Sequence, residues 1–408
     1  MKKYKLRPVN SYYFYKKKKS RARKRLLFVC SLICVVFIGI CINDEFGQDL
    51  ITFFPFLEQE AKGPQKDVYL PTTGVKYDLY KAPKKVKGIY IPPSKVMDYE
   101  NYISMARETG INSFIIDVKN DNGYLTFATD NEVLIEKGVV LAKPPMKDVS
   151  RMMTRLYEEG IYPIARVVAF KDNVVAKKEP ERAIKSLSGQ IYETSAGDTW
   201  LDPYNKANWD YLLEICDEAV ELGFKEIQFD YVRFHESMKP TTVVLDETTS
   251  KADIITAFTK YACQHLQQKG VYVSADVFGA VILSQLDASI VGQDFAAMSQ
   301  YLDYICPMVY PSHYAEGTFG IAYPHLDAYD IILNTMEKGQ DLIRENERSQ
   351  RKAIIRPWLQ DFTLKSLKPY LLYGPEQIKA QIQGTYDAGL EEWIFWNAAG
   401  NYTVDGYK

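Results

Sequence analysis

ELGFKEIQFDYVRF, residues 221–234, holds one complete unit of the pattern that decides the fold. Residues 209–222 carry apolar side chains at helical spacing, Gly223 follows at once, and residues 226–234 form a run suited to a buried strand. Glycine at that place takes the left-handed conformation that closes a helix without a Cβ penalty, so the turn into the strand is short. The same signature recurs as ETG-INS, EEG-IYP, QKG-VYV and DAG-LEE, around Gly110, Gly160, Gly270 and Gly389.

Working outward, strand-like runs fall at 88–91, 113–119, 162–169, 226–234, 272–278, 304–310, 353–359 and 391–396. Helical patterns at 99–109, 149–159, 209–222, 254–269, 329–346 and 376–388 lie between them. Strands alternating with helices predict parallel βαβ units, and eight of them close an α/β fold, a (β/α)8 TIM barrel, over residues 86–408. The extra sequence accumulates after the strands, at 120–145, 171–205, 235–253, 311–328 and 361–375. Those insertions belong to the carboxyl face of such a barrel, where its enzymes build their sites.

Upstream the composition changes. Residues 1–25 hold 12 of the 50 Lys and Arg and none of the 52 Asp and Glu, leaving 38 basic against 52 acidic residues, a net −14, in the remainder. An acidic body argues against a nucleic-acid partner, whose phosphates require Lys and Arg. The basic block runs into LLFVCSLICVVFIGICI, residues 26–42, in which Ser31 is the one clearly polar side chain. This reads as a transmembrane anchor in contact with the lipid bilayer; a cleaved signal peptide is the competitor, and no small-residue cleavage site follows. The positive-inside rule then keeps residues 1–25 as a cytoplasmic tail and puts the chain from residue 46 onward outside the cell. Residues 43–85, with Pro55, Pro64, Pro71 and Pro83 and no sustained period, read as a stalk. Cys30, Cys34 and Cys41 lie in the apolar segment, and Cys216, Cys263 and Cys306 are scattered with no disulfide or zinc spacing.

Within each barrel strand, residues of one parity point inward. The polar residues late in the strands are Asp117 and Lys119 in the second, Arg166 in the third, Gln228 and Asp230 in the fourth, and Asp276 in the fifth. Tyr310 follows in the sixth, and Arg356, Trp358 and Gln360 in the seventh. Buried polar groups left unpaired cost about 1–3 kcal/mol each, so so many at one end of a barrel mark a functional site. Glycosidic cleavage needs two carboxyls across the scissile bond. Asp230 and Asp276, ending adjacent strands, are the expected catalytic pair, with Asp117 as a sugar ligand or substitute acid. A structural alternative pairs Asp230 with Arg233 or Arg166. Lys119, Arg166 and Arg356 are cations able to separate the protonation of two carboxyls. Trp358, Trp396, Tyr310 and Tyr314 offer flat faces for sugar rings. Lys119, Arg166, Gln228, Arg356, Gln360 and His313 complete the expected substrate contacts, His313 as a substrate or supporting ligand, whereas Trp209 reads as core.

Other chemistries have less support. The four histidines are dispersed, so no metal site is expected, and there is no G-x-S-x-G elbow, P-loop or G-x-G-x-x-G after a strand, so no cofactor is expected either. Nothing calls for an obligate protein partner.

The strings DYVRF (230–234), MVYPSHY (308–314) and RPWLQDF (356–362), with YGPEQIKAQI near the end, resemble a bacterial family of glycosyl hydrolase barrels distantly similar to amylase-like ones. The resemblance runs from about residue 87 to 402. It implies a hydrolase barrel and places the nucleophile at Asp230. The chain departs from the family where His235 follows DYVRF in place of a proline. The expected function is therefore an extracellular, membrane-anchored glycoside hydrolase acting on a cell-surface or extracellular polysaccharide. A glycan-binding barrel without turnover is the alternative; a scaffold is a distant third, disfavoured by the inward polar ring.

Overall fold

The computed structural model describes residues 85–346 and 353–408. The expected tail, anchor and most of the stalk lie outside the described residues, and among the described residues no helix is long and apolar enough to cross a membrane.

The strands are β1 (Lys87–Ile91), β2 (Ser113–Lys119), β3 (Tyr162–Val168), β4 (Glu226–Asp230), β5 (Tyr272–Phe278), β6 (Tyr304–Met308), β7 (Ile354–Ile355), β8 (Trp358–Gln360) and β9 (Trp393–Trp396). All pairings are parallel, and the sheet closes through β5–β6, β6–β8, β8–β9 and β9–β1. Pro357 separates β7 from β8, so these two short pieces form one stave of an eight-stave barrel. Proline cannot donate to the ladder. Around it, Arg356 N donates to Ile305 O at 3.0 Å and Ile394 N to Pro357 O at 2.9 Å, holding the stave in register.

The main outer helices are α1 (Tyr99–Thr109), α2 (Val149–Glu158), α3 (Lys206–Glu221), α4 (Lys251–Gln268), α5 (Ala328–Arg344) and α6 (Pro375–Asp387). Their starts follow local chemistry: Asp148, Asn205, Ser250 and Asp327 each accept a hydrogen bond from a first-turn backbone N–H. The five predicted junction glycines have φ between 68° and 105°. Gly110 shows the reason: at φ 70° its N–H returns to Ala106 O and ends α1.

One apolar layer fills the space between strands and helices, and a smaller cluster including Tyr90, Ile115, Ile164, Cys306, Trp358 and Ile394 fills the barrel. The fourth strand is shorter than its β-rich sequence predicts. It stops at Asp230 because Tyr231 takes the left-handed conformation, φ 50°. A bulky side chain there costs about 1–3 kcal/mol, strain that clusters at functional sites.

Candidate active site

At the carboxyl end of the barrel a cavity of about 190 Å³ is lined by Asp121, Arg166, Asp230, Tyr231, Arg233, Asp276, Phe278, Met308, Tyr310, Trp358 and Trp396. Strand alternation explains the selection, because Arg166, Asp230, Asp276, Met308, Trp358 and Trp396 all project from the inner face.

Arg166 is the hub. Its Nε and Nη2 donate to Asp230 Oδ2 at 3.0 and 2.6 Å, its Nη1 to Asp117 Oδ1 at 2.8 Å, and its Nη2 to Asp121 Oδ1 at 3.0 Å. Tyr90 and Trp396, stacked at 4.1 Å, hold their rings 5.7 and 5.6 Å from the guanidinium carbon. Tyr90 OH donates to Asp117 Oδ2 at 2.9 Å, so Asp117 fixes Arg166 from behind. The second oxygen of Asp230 accepts the Tyr231 backbone N–H at 2.6 Å, a bond set beside the left-handed turn.

Asp276 has different surroundings. Its side chain is buried, and Trp358 Nε1 donates to its Oδ1 at 2.6 Å. Burial, followed by the charge of Asp230, pushes its pKa well above the usual carboxylate range, and the Trp358 bond only partly opposes this. Burial also raises Asp117, against the pull of Arg166. For Asp121 the balance reverses: burial disfavours its charge, yet Arg166 and then Lys171 hold it below the ordinary range. Two cavity carboxyls thus differ in kind. Asp276 is buried with its pKa pushed up, while Asp230 has a cationic partner on one oxygen and a backbone donor on the other.

The predicted site residues separate into two groups. Arg166, Asp230, Asp276, Tyr310, Trp358 and Trp396 line the cavity, and Asp117 stands directly behind it. The others do not reach it. Lys119 is buried against Asp172 at 2.9 Å and donates to Val168 O, tying the β2 end to the loop after β3. Gln228 lies deeper, donating to Cys306 Sγ at 3.3 Å. Arg356 is sealed with Glu226 (2.8 Å) and Glu392 (2.9 Å), under the Tyr304 ring. Gln360 accepts from Ser312 N and Oγ and donates to Phe362 O, which braces two loops. His313 packs on Tyr310 and Phe362 behind the wall, and burial lowers its pKa. Length explains these departures, since a long side chain that finds a closer partner does not reach the mouth. Trp209 is buried, with its Nε1 donating to Pro203 O.

Sequence reasoning missed Asp121, Tyr231, Arg233, Phe278 and Met308 as cavity residues. Phe278 and Met308 share the inward parity of Asp276 and Cys306 and were open to the same test. Asp121, Tyr231 and Arg233 stand beyond strand ends, where parity no longer applies. Among the described residues no group of His, Cys, Asp and Glu is placed to hold a metal ion.

No curated protein matches the chain. A solved hypothetical protein from Ruminiclostridium thermocellum is 37% identical over 46% of this chain and 97% of its own, with a TM-score of 0.42. The glycoside hydrolase domain of PgaB (BpsB) from Bordetella bronchiseptica shares the fold at 12% identity, over 77% of this chain and 93% of that one, with a TM-score of 0.52. The family model described as "Putative glycosyl hydrolase domain" matches residues 88–402, which include every cavity residue. The chain belongs to that glycosyl hydrolase domain family.

Proposed function

We propose that this protein hydrolyses O-glycosidic bonds of a cell-surface or extracellular polysaccharide, tethered to the cell membrane through residues 26–42 with the barrel outside. The observation that carries the chemistry is the unlike pair in one cavity: Asp230 bonded to Arg166, and Asp276 buried beside Trp358 with its pKa raised by burial and by Asp230. Asp276 donates that proton to the glycosidic oxygen as the bond from the anomeric carbon breaks. Asp230 bonds to that carbon, and water, losing a proton to the Asp276 carboxylate, releases the sugar and restores both groups. Trp396, Tyr310 and Trp358 supply apolar faces beside the reacting ring. The tether rests on the apolar run beside the basic block.

The test is a panel of cell-wall and extracellular polysaccharides with wild type, Asp230→Asn and Asp276→Asn. Asp230→Asn lowers kcat by at least about 10³-fold while glycan binding persists. Asp276→Asn is also severely slowed, but recovers on substrates with good leaving groups, which need little protonation. Binding with no turnover in wild type would replace this reading by the glycan-binding barrel.

A further inference from the structure

Arg233 lines the same cavity, three residues past Asp230 and beyond the left-handed turn at Tyr231. It is only 7% exposed, and its guanidinium carbon lies 4.2 Å from the Phe278 ring centre, 5.2 Å from Tyr231 and 5.3 Å from Trp200. Nη1 donates to Phe234 O at 3.0 Å and to Glu236 Oε2 at 3.2 Å. Nε and Nη2 donate to nothing among the described residues. The Glu236 side chain, the one carboxylate bonded to Arg233, is 57% exposed at the rim.

This cation differs from the other one in the cavity. Arg166 is shared among Asp117, Asp121 and Asp230. The cavity carboxylates Asp121 and Asp230 are therefore already engaged, and neither bonds to Arg233. A guanidinium behind aromatic walls, with an exposed and screened partner, is under-neutralised, and its adjacent Nε and Nη2 donors match the two oxygens of a carboxylate. Burial makes such a contact stronger than a surface ion pair.

We infer that Arg233 is the specificity residue of this site and receives the carboxylate of an acidic sugar, so that the substrate is a carboxylate-bearing glycan. The inference rests on the hydrolase reading and names its substrate class. In this arrangement Glu236 stays on Nη1 and partly offsets the positive charge that the incoming carboxylate meets at Nε and Nη2. The net −14 of the sequence after residue 25 does not oppose it, since charges more than about 8 Å away are largely screened at physiological salt.

The experiment uses the full chain in detergent carrying Asp230→Asn, so that ligands survive. Calorimetry compares oligogalacturonate, a glucuronate–N-acetylglucosamine tetrasaccharide and an N-acetylmuramate-containing oligomer, each with its carboxyl-reduced counterpart. At least one acid form should bind tenfold or more tightly than its reduced form. Adding Arg233→Met brings that ratio close to one with the affinity for the reduced form kept, and adding Glu236→Gln strengthens acid binding several-fold. Equal binding of acid and reduced forms, or a ratio that survives Arg233→Met, overturns the inference while the hydrolase reading stands. If Arg233→Met does not fold, an unchanged acid affinity in Glu236→Gln overturns it instead. Failure to bind or cleave any glycan, acid or neutral, overturns both.

Discussion

Asp230 and Asp276 are chemically the same side chain at the ends of adjacent strands, and their neighbours make them different reagents. In the proposed reaction Asp276 acts in its protonated form and its pKa is raised first by burial and then by Asp230, so glycan turnover should fall as pH rises through that elevated value. Asp276→Asn removes this alkaline limb from a pH–rate profile on activated substrates. The same shift has a stability consequence. Below about pH 4 the group is protonated folded and unfolded; above it the unfolded chain releases the proton while the fold retains it, so stability falls as pH rises toward the folded pKa. Asp276→Asn should therefore melt above wild type at pH 7, with the gap closing below about pH 4. Calorimetric scans across pH check this, and an unchanged gap would refute it. The two carboxyls were legible from strand position and residue type. Their unlike surroundings were not, because these depend on Arg166 and Trp358, which lie 64 and 82 residues away in the chain.

At the scale of elements, Arg356 belongs to the packing of four staves. It joins Glu226 of β4 to Glu392 beside β9, with Tyr304 of β6 over its face. Burial raises Glu392 against the lowering influence of Arg356, so removing the cation leaves carboxyls buried without their partner. Arg356→Met should cost about 3–5 kcal/mol in denaturant unfolding, with KM for glycans unchanged in the folded fraction. A raised KM at full stability would restore its expected role in binding substrate. The α5–α6 contact rests on a smaller feature. A Cβ at Gly384, within α6, would lie 2.7 Å from Tyr329 O on α5. Gly384→Ala gains helix propensity, yet it should destabilise the barrel by about 1–3 kcal/mol, because the helices must separate. Unfolding titrations that show stabilisation would contradict this contact.

For the whole molecule, the charge asymmetry sets the expected topology: a basic, acid-free head before the apolar run and a net −14 after residue 25. External protease on intact cells should release the barrel and leave residues 1–25 protected; a body that survives while a control surface protein is cleaved would reverse the orientation. Cys216, Cys263 and Cys306 are buried and none of them is in a disulfide, so the melting transition of the barrel should be unmoved by reductant. A downward shift in reductant would expose a disulfide that stabilises the fold.

Sequence by itself determined the staves of the barrel, the glycine junctions and the carboxyl-face position of the site, because these follow from local periodicity and backbone chemistry read within a few residues. It also placed Arg166, Asp230, Asp276 and Trp358 on the inner face, since parity survives folding. What tertiary structure alone decided is depth and partnership. Closing a barrel tilts and staggers its strands, so inward residues of equal parity stand at different heights. That stagger puts Trp358 against Asp276 and Arg356, two residues earlier, against Glu226, 130 residues distant. It was also the three-dimensional turn at Tyr231 that carried Arg233 back to the cavity, a left-handed bend that no propensity assigns to tyrosine.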